Sequence, residues 1–467
     1  MSKHDRRDFL RRAIGFSCGY VYLPSLATLI FNRQAFGSDS CSTQVDNDSP
    51  AFIGLDLRGG ASIAGNNVIV YDDKGELLKS YEGLGLPSAL HPQGTDKINT
   101  SIGLPMHADS AMLRGILQAP ATVQANTNGV VICTRAQDDT SSNQLATAPG
   151  VHLAGANGSF AALVGTQASA SGGNSITPFM TNAAPVRITD FSSGDAIASI
   201  ASVWQQQPER MAKVITALNK LSFSQLEQFS NLGLSEQAVA MMKCGYLNAE
   251  QMLLPQEGLI LNASQDTDVS SIVNFQQNPA ATEIAYLVLK GYAGTGTITL
   301  SGYDYHDTTA TTGDSRDYAA GQTIAMILAM AAALNRKLML HVYTDGGVSI
   351  GRQATAVTGG GTQVEKFVWV GDSEMRAAAF VLVYDPDGRP SLTFNNDQRQ
   401  QLGAYKNAGD GTINLQPSQH QKIAGDPVAQ AQAVVANWLA WQGKPTTVQG
   451  LVQTPIGDID DYIFIGG

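Results

Sequence analysis

The chain has 467 residues, of which 43% are hydrophobic and 15% charged, with a formal net charge of −11. That length buries a sizeable core and amounts to two to three domains' worth of chain. So acidic a protein is a poor partner for nucleic acid, whose phosphates would repel it.

The N-terminus reads "HDRRDFLRR", with adjacent Arg6 and Arg7 followed by Phe9 and Leu10. This is the pattern of a twin-arginine export signal. A mildly apolar stretch follows from Ala13 to Phe31, and small residues Ala35 and Gly37 precede Ser38. Charged, apolar and small regions in that order predict a signal peptide over 1–37, cleaved near Gly37, with a flexible mature N-terminus over 38–50. The twin-arginine translocase is then the export partner, and the destination is the periplasm or the cell surface. An uncleaved leader would behave as a short membrane anchor. The leader carries a net +4, which leaves the remainder at −15. The segment Thr323–Leu334 is apolar but too short to cross a bilayer, so no stable membrane span is expected after cleavage. Proteins exported by this route cross already folded, often with a cofactor loaded.

Four cysteines occur, Cys18, Cys41, Cys133 and Cys244. Cys18 lies in the leader, so at most one disulfide forms among the other three. No C-x-x-C is present, which argues against thiolate zinc and haem attachment.

In chain order, "AFIGLDLRGG" predicts a buried strand ending in a glycine pair, and "NNVIVYDD" a second apolar run with a turn after it. "MHADSAMLRGIL" fits an amphipathic helix and "GVVICT" a short buried strand. The stretch from Asp138 to Pro185 reads as weak strands and long loops. A helical pattern covers about 190–260. "TEIAYLVLKGY" then predicts a helix, "TGTITL" a strand, about 316–335 a long helix, and "KLMLHVYTDGG" a strand. Strand, helix, strand is one crossover unit, so its two strands are expected to be parallel and neighbouring, with their C-terminal ends on one rim. "KFVWVG" and "AAFVLVYDPDGRPSLTF" read as strands, the second turning back as a hairpin at Asp387-Gly388. "GDPVAQAQAVVANWLAWQ" is a helix with Asp426 as N-cap and Pro427 at the first turn.

Between the crossover strands lies "SGYDYHD". Asp304 and His306, together with Asp345 at the end of the next strand, are carboxylate and imidazole ligands that could meet at one metal ion. Zinc, manganese or calcium would suit them, and Asp56 of the first strand could add an oxygen. The bland alternative is that Asp304 caps a loop and His306 hydrogen-bonds locally. His341 alternates within a strand and reads as packed or at an interface. His91, His107, His152 and His420 have no partner at ligand spacing. "GGGT" (359–362) lacks the lysine of a P-loop. "DDTSSN" (138–143) reads as a solvated loop, although its paired carboxylates could bind calcium. No G-x-S-x-G is present, which argues against an α/β-hydrolase serine site.

The leader, "LRGGASIAGNNVIVY", "SGYDYHD" and "LMLHVYTDGG" together resemble an exported bacterial family known as domain of unknown function 1501, grouped with the alkaline phosphatase and sulfatase superfamily. Gly59, Gly60 and Asn67 match its first motif, Gly302, Asp304 and His306 its second, and Thr344-Asp345-Gly346 loosely its third. The resemblance implies a three-layer α/β sheet of alkaline-phosphatase/sulfatase type over 51–467, flanked by helices and carrying the helical insertion. It also implies a nucleophile position at Ser62. Residues 61–64 contain no Asp where the family has one, the fourth motif's Asp-His pair has no counterpart, and "TRAQDDTSSN" contains no His. The expected protein is therefore an exported envelope or surface protein with a degenerate metal site. It would act by binding or assembly, with an envelope partner or as a homo-oligomer, with a divalent metal (zinc, manganese or calcium) as the one candidate cofactor. The alternative is a metal-dependent periplasmic hydrolase of phosphate or sulfate esters.

Overall fold

The computed structural model describes residues 49–93, 95–135, 147–158, 161–165, 260, 262–272, 278–303, 305, 308, 310–344, 346–357, 364–374, 376–393, 400–407, 413–416, 423, 426–452 and 455–466. The leader, almost all of 38–50 and the helical insertion of about 190–260 (Ile260 apart) lie outside them, as do "DDTSSN" and "GGGT".

The strands in chain order are β1 (Ala51–Leu57), β2 (Ile98–Asn99), β3 (Met106–His107), β4 (Thr127–Arg135), β5 (Ala161–Gly165), β6 (Ala293–Leu300), β7 (Leu338–Thr344), β8 (Gly347–Val357), β9 (Val364–Glu374), β10 (Arg376–Tyr384), β11 (Gln401–Leu402), β12 (Ala404–Asn407) and β13 (Ile413–Gln416). The helices are α1 (Ala111–Ile116), α2 (Ala121–Ala125), α3 (Ala148–Leu153), α4 (Pro279–Leu289), α5 (Ala310–Ala333) and α6 (Pro427–Ala440).

The protein has a mixed α/β architecture around one seven-stranded sheet, ordered β11-β4-β10-β7-β1-β6-β5. β10 alone runs against its neighbours, so the sheet is mostly parallel. Strands buried on both faces are written as continuous apolar runs, and β1 and β7 are buried at every position. Their side chains alternate between two cores. Ile53, Leu55, Leu57, Leu340, Val342 and Phe380 pack with α1, α4 and α5, whereas Phe52, Met339, Val381 and Val383 pack with α3 and α6.

β6 and β7 are parallel, as the crossover predicts, but they are not adjacent: β1 lies between them and pairs with both. A long crossover helix leaves room for a strand from elsewhere in the chain, and β1, buried on both faces, gains ladder bonds on both edges there.

Several local expectations are corrected. "NNVIVYDD" is the exception: it is buried from Asn66 to Tyr71, is held by isolated bridges (Ala64 to Val68, Val68 to Met106, Tyr71 to Leu77), and is followed by the expected turn at Asp72–Gly75. The amphipathic pattern from Met106 gives a helix of only six residues, because Ser110 caps α1 by accepting from Leu113 N at 3.0 Å. The long helix begins at Ala310 rather than near 316. The turn at Asp387-Gly388 forms, but the chain beyond it pairs with the C-terminus (Leu392 with Ile465) instead of returning along β10, so there is no hairpin. Both edges of β10 are already taken, by β4 and β7. The expected α6 caps are present, Asp426 Oδ1 accepting from Val428 N at 2.9 Å with Pro427 following. Cys133 is buried and free, which removes it from any disulfide. No helix among the described residues is long and apolar enough to cross a membrane.

His341 of β7 is packed as expected, fully buried between α3 and α6. The Gln430 amide donates to its Nε2 at 3.2 Å, which places the ring proton on Nδ1, 3.0 Å from Thr147 Oγ1. Burial pushes its pKa down to about 3. The unfolded chain therefore takes up a proton that the native ring refuses, and stability from this residue drains as pH falls below about 6.5. Relative to His341→Gln, which keeps a donor and an acceptor but does not titrate, wild type should lose about 2.5 kcal/mol between about pH 7 and about pH 4.5 in urea titrations.

Candidate functional site

The C-terminal ends of β6, β1 and β7 stand level, with Leu57 opposite both Leu300 and Thr344. In a parallel sheet this puts three outgoing loops on one rim. The first two continue to bond beyond the strands: Arg58 N donates to Leu300 O at 2.9 Å and Tyr303 N to Arg58 O at 3.2 Å. The third joins through Thr344, whose Oγ1 accepts from Ala61 N at 2.8 Å and donates to Gly346 O at 3.1 Å.

Over this junction lies Asp372 of β9. β8 and β9 form a two-stranded ribbon outside the main sheet. Asp372 Oδ2 accepts from Tyr305 N at 3.2 Å. Gly60 has φ +114°, and a Cβ there would meet Asp372 Cβ at 2.8 Å, so only glycine permits this approach. A Cβ at Gly346 would also fall on the Asp372 backbone, with Gly60 Cα 3.3 Å away.

Asp304, His306 and Asp345 lie outside the described residues. Their chain neighbours Tyr305 and Gly346 both meet Asp372. Among the described residues no group of three or more His, Cys, Asp or Glu side chains is placed to hold a metal ion. Asp56 is buried, with its carboxylate 3.3 Å from Arg58 Nη2. Alternation along β1 turns Asp56 to the face opposite Leu55 and Leu57. Ser62 follows the glycine pair and is 6% exposed. Its carbonyl accepts from Asn67 Nδ2 at 2.9 Å.

Asn67 is the hub that fixes this loop. Its Nδ2 also donates to Asp317 Oδ2 of α5 at 2.8 Å, its Oδ1 accepts from Ser110 Oγ at 2.6 Å, and its carbonyl accepts from His107 N at 2.9 Å. One asparagine thereby ties the rim loop to α1, α5 and β3. Beside it, Lys366 of β9 reaches Asp314 of α5 at 2.5 Å with both side chains buried, and Arg114 of α1 stands 3.6 Å from the same carboxylate. Tyr303 and Tyr305 pack edge to face, and Tyr305 lies against Trp369, with ring centroids 5.2 Å apart. Burial raises both phenols far above their ordinary range and lowers the His107 imidazole.

Sequence reasoning did not single out Asp372, Asp317 or Lys366. The strand signal in "KFVWVG" stopped at Gly371, one residue short of Asp372. Asp314 and Asp317 stand three apart on α5, but Asp314 precedes the helix expected from about 316 and the stretch around both is rich in polar residues, so nothing local marked them. Comparison with family models, with curated proteins and with solved structures finds no match to this chain.

Proposed function

We propose that this protein is an exported envelope or surface protein with an alkaline-phosphatase/sulfatase-like architecture whose rim site is degenerate. It works by binding or assembly, not by ester hydrolysis. The carrying observation is the seating of Asp372: its backbone packs on Gly60 and Gly346 and its carboxylate takes the Tyr305 amide. A hydrolase of this layout needs the glycine turn after the first strand open to a phosphoryl or sulfuryl group beside an activated nucleophile. Here a strand of the β8–β9 ribbon covers that turn, and Ser62 behind it is buried. Asp56 supports the same reading, since the Arg58 guanidinium occupies its carboxylate.

Elemental analysis of the protein matured in its own cell should find no stoichiometric zinc, manganese or calcium. A panel of aryl phosphate and sulfate esters with added metals should give no turnover. Stoichiometric metal, with turnover abolished by chelation and by His306→Ala, would replace this reading with the metal-dependent hydrolase.

A further inference from the structure

We propose that Asp317 is a neutral carboxylic acid paired edge to edge with the side-chain amide of Asn66, and that losing this proton under alkaline conditions releases the loop of residues 59–67 from α5. This inference does not depend on the function proposed above.

Asn66 Nδ2 donates to Asp317 Oδ2 at 3.0 Å, and Asn67 Nδ2 donates to the same oxygen at 2.8 Å. The other oxygen of each partner, Asn66 Oδ1 and Asp317 Oδ1, is buried with no hydrogen-bond partner. Asn66 is 1% exposed and Asp317 0%. Two orphaned acceptors on directly bonded side chains are an expensive arrangement, because each forgoes its solvation without replacement. When the amide donates through the hydrogen on the side of its own carbonyl, to the side of the carboxyl that carries the second oxygen, the two remaining oxygens come together, and we take this to be the arrangement of Asn66 and Asp317. A proton on Asp317 Oδ1 turns that pair of acceptors into a donor and an acceptor and closes an eight-membered ring. It belongs on Oδ1 because Oδ2 already receives two N–H groups.

The surrounding charges agree. Both cations entering the cluster, Lys366 from β9 and Arg114 from α1, bond Asp314 rather than Asp317. Arg316 on α5 reaches instead to Ser301 O at 3.3 Å. The phenols of Tyr303 and Tyr305 are buried and uncharged, and burial keeps the His107 imidazole of β3 neutral. Asp314, one turn away, is a like charge. Burial, seconded by Asp314 and opposed by the asparagine amides and Lys366, raises the Asp317 carboxyl to about 8. Once ionised, Oδ1 faces the Asn66 carbonyl oxygen with no proton between them, and the clasp on the loop carrying Gly60 and Ser62 weakens.

Infrared spectroscopy of the full chain at about pH 6.5, where ordinary carboxyl groups are ionised, should show a protonated carboxyl band. The band should titrate near pH 8, and this titrating component should disappear in Asp317→Asn. Asp317→Asn keeps the shape and the proton, presenting N–H to Asn66 Oδ1. At pH 6.5 its unfolding constant should lie within about threefold of wild type. The native acid holds a proton that the unfolded chain releases, so stability falls as pH rises through this window. The wild-type unfolding constant, relative to Asp317→Asn, should climb about tenfold per unit between about pH 5 and about pH 7.5. Hydrogen-exchange protection of the Asn67 and Val68 amides, both bonded to Ile63 O, should drop more than tenfold between about pH 7 and about pH 9 beyond the intrinsic base catalysis. That drop should be absent in the variant. No titrating band in wild type, or an Asp317→Asn protein that fails to fold or unfolds more than a hundredfold more readily, would mean that Asp317 is an ionised carboxylate, and would overturn the proposal.

Discussion

Lys366→Met should cost the fold about 3–5 kcal/mol, read as a shift of the urea unfolding midpoint at neutral pH. Lys366 is the main counter-charge of Asp314, and the two side chains are 1% and 0% exposed. Methionine fills nearly the same volume, so the loss reports charge and not a cavity. What remains is a buried carboxylate with only the more distant Arg114 guanidinium, at 3.6 Å. Desolvation, which the ion pair had offset, is then uncompensated. The double variant Asp314→Asn/Lys366→Met removes the stranded charge and should recover more than half of the loss. If Lys366→Met costs less than about 1 kcal/mol, Arg114 carries the pair and the lysine is dispensable.

Gly321→Ala should be as damaging, about 3 kcal/mol or more, and Gly321→Val should yield no folded protein. Gly321 of α5 and Gly115 of α1 lie against each other where the two helices cross. A Cβ on Gly321 would fall on the Met112 carbonyl oxygen with Gly115 Cα 2.9 Å away, and a Cβ on Gly115 would meet Gln322 N at 2.6 Å. The obstructing atoms are backbone, so no rotamer change relieves them. Separating the helices would also pull Ser110 away from Asn67 and loosen the rim loop. Thr312→Ala, exposed near the start of α5, is the control and should change stability by less than about 0.5 kcal/mol. A Gly321→Ala protein as stable as wild type would show that this crossing tolerates displacement.

The apolar runs of β1 and β7 announced buried strands, because burial on both faces leaves little polar alternation. Asp426-Pro427 announced a helix start, because capping is settled within four residues. Asn67 was visible as a motif residue, although its task of joining three elements was not. The hairpin at Asp387-Gly388 was misread although its turn forms. A periodicity or a turn signal shows what a segment can form locally, whereas its extent depends on which partner edge or face is free.

From its sequence alone this chain determined an α/β architecture, the identity of its principal strands, the capped start of α6, and the rim where "TGTITL" and "KLMLHVYT" end. Tertiary structure alone decided that β1 enters between the crossover strands, that a distant ribbon lays Asp372 over the glycine turn, and that Asp317 meets Asn66 across 251 positions. Strand propensity, capping and burial are written in neighbouring residues and their period. The order of strands and the company of a buried acid depend on contacts between segments hundreds of residues apart, and no local pattern records them.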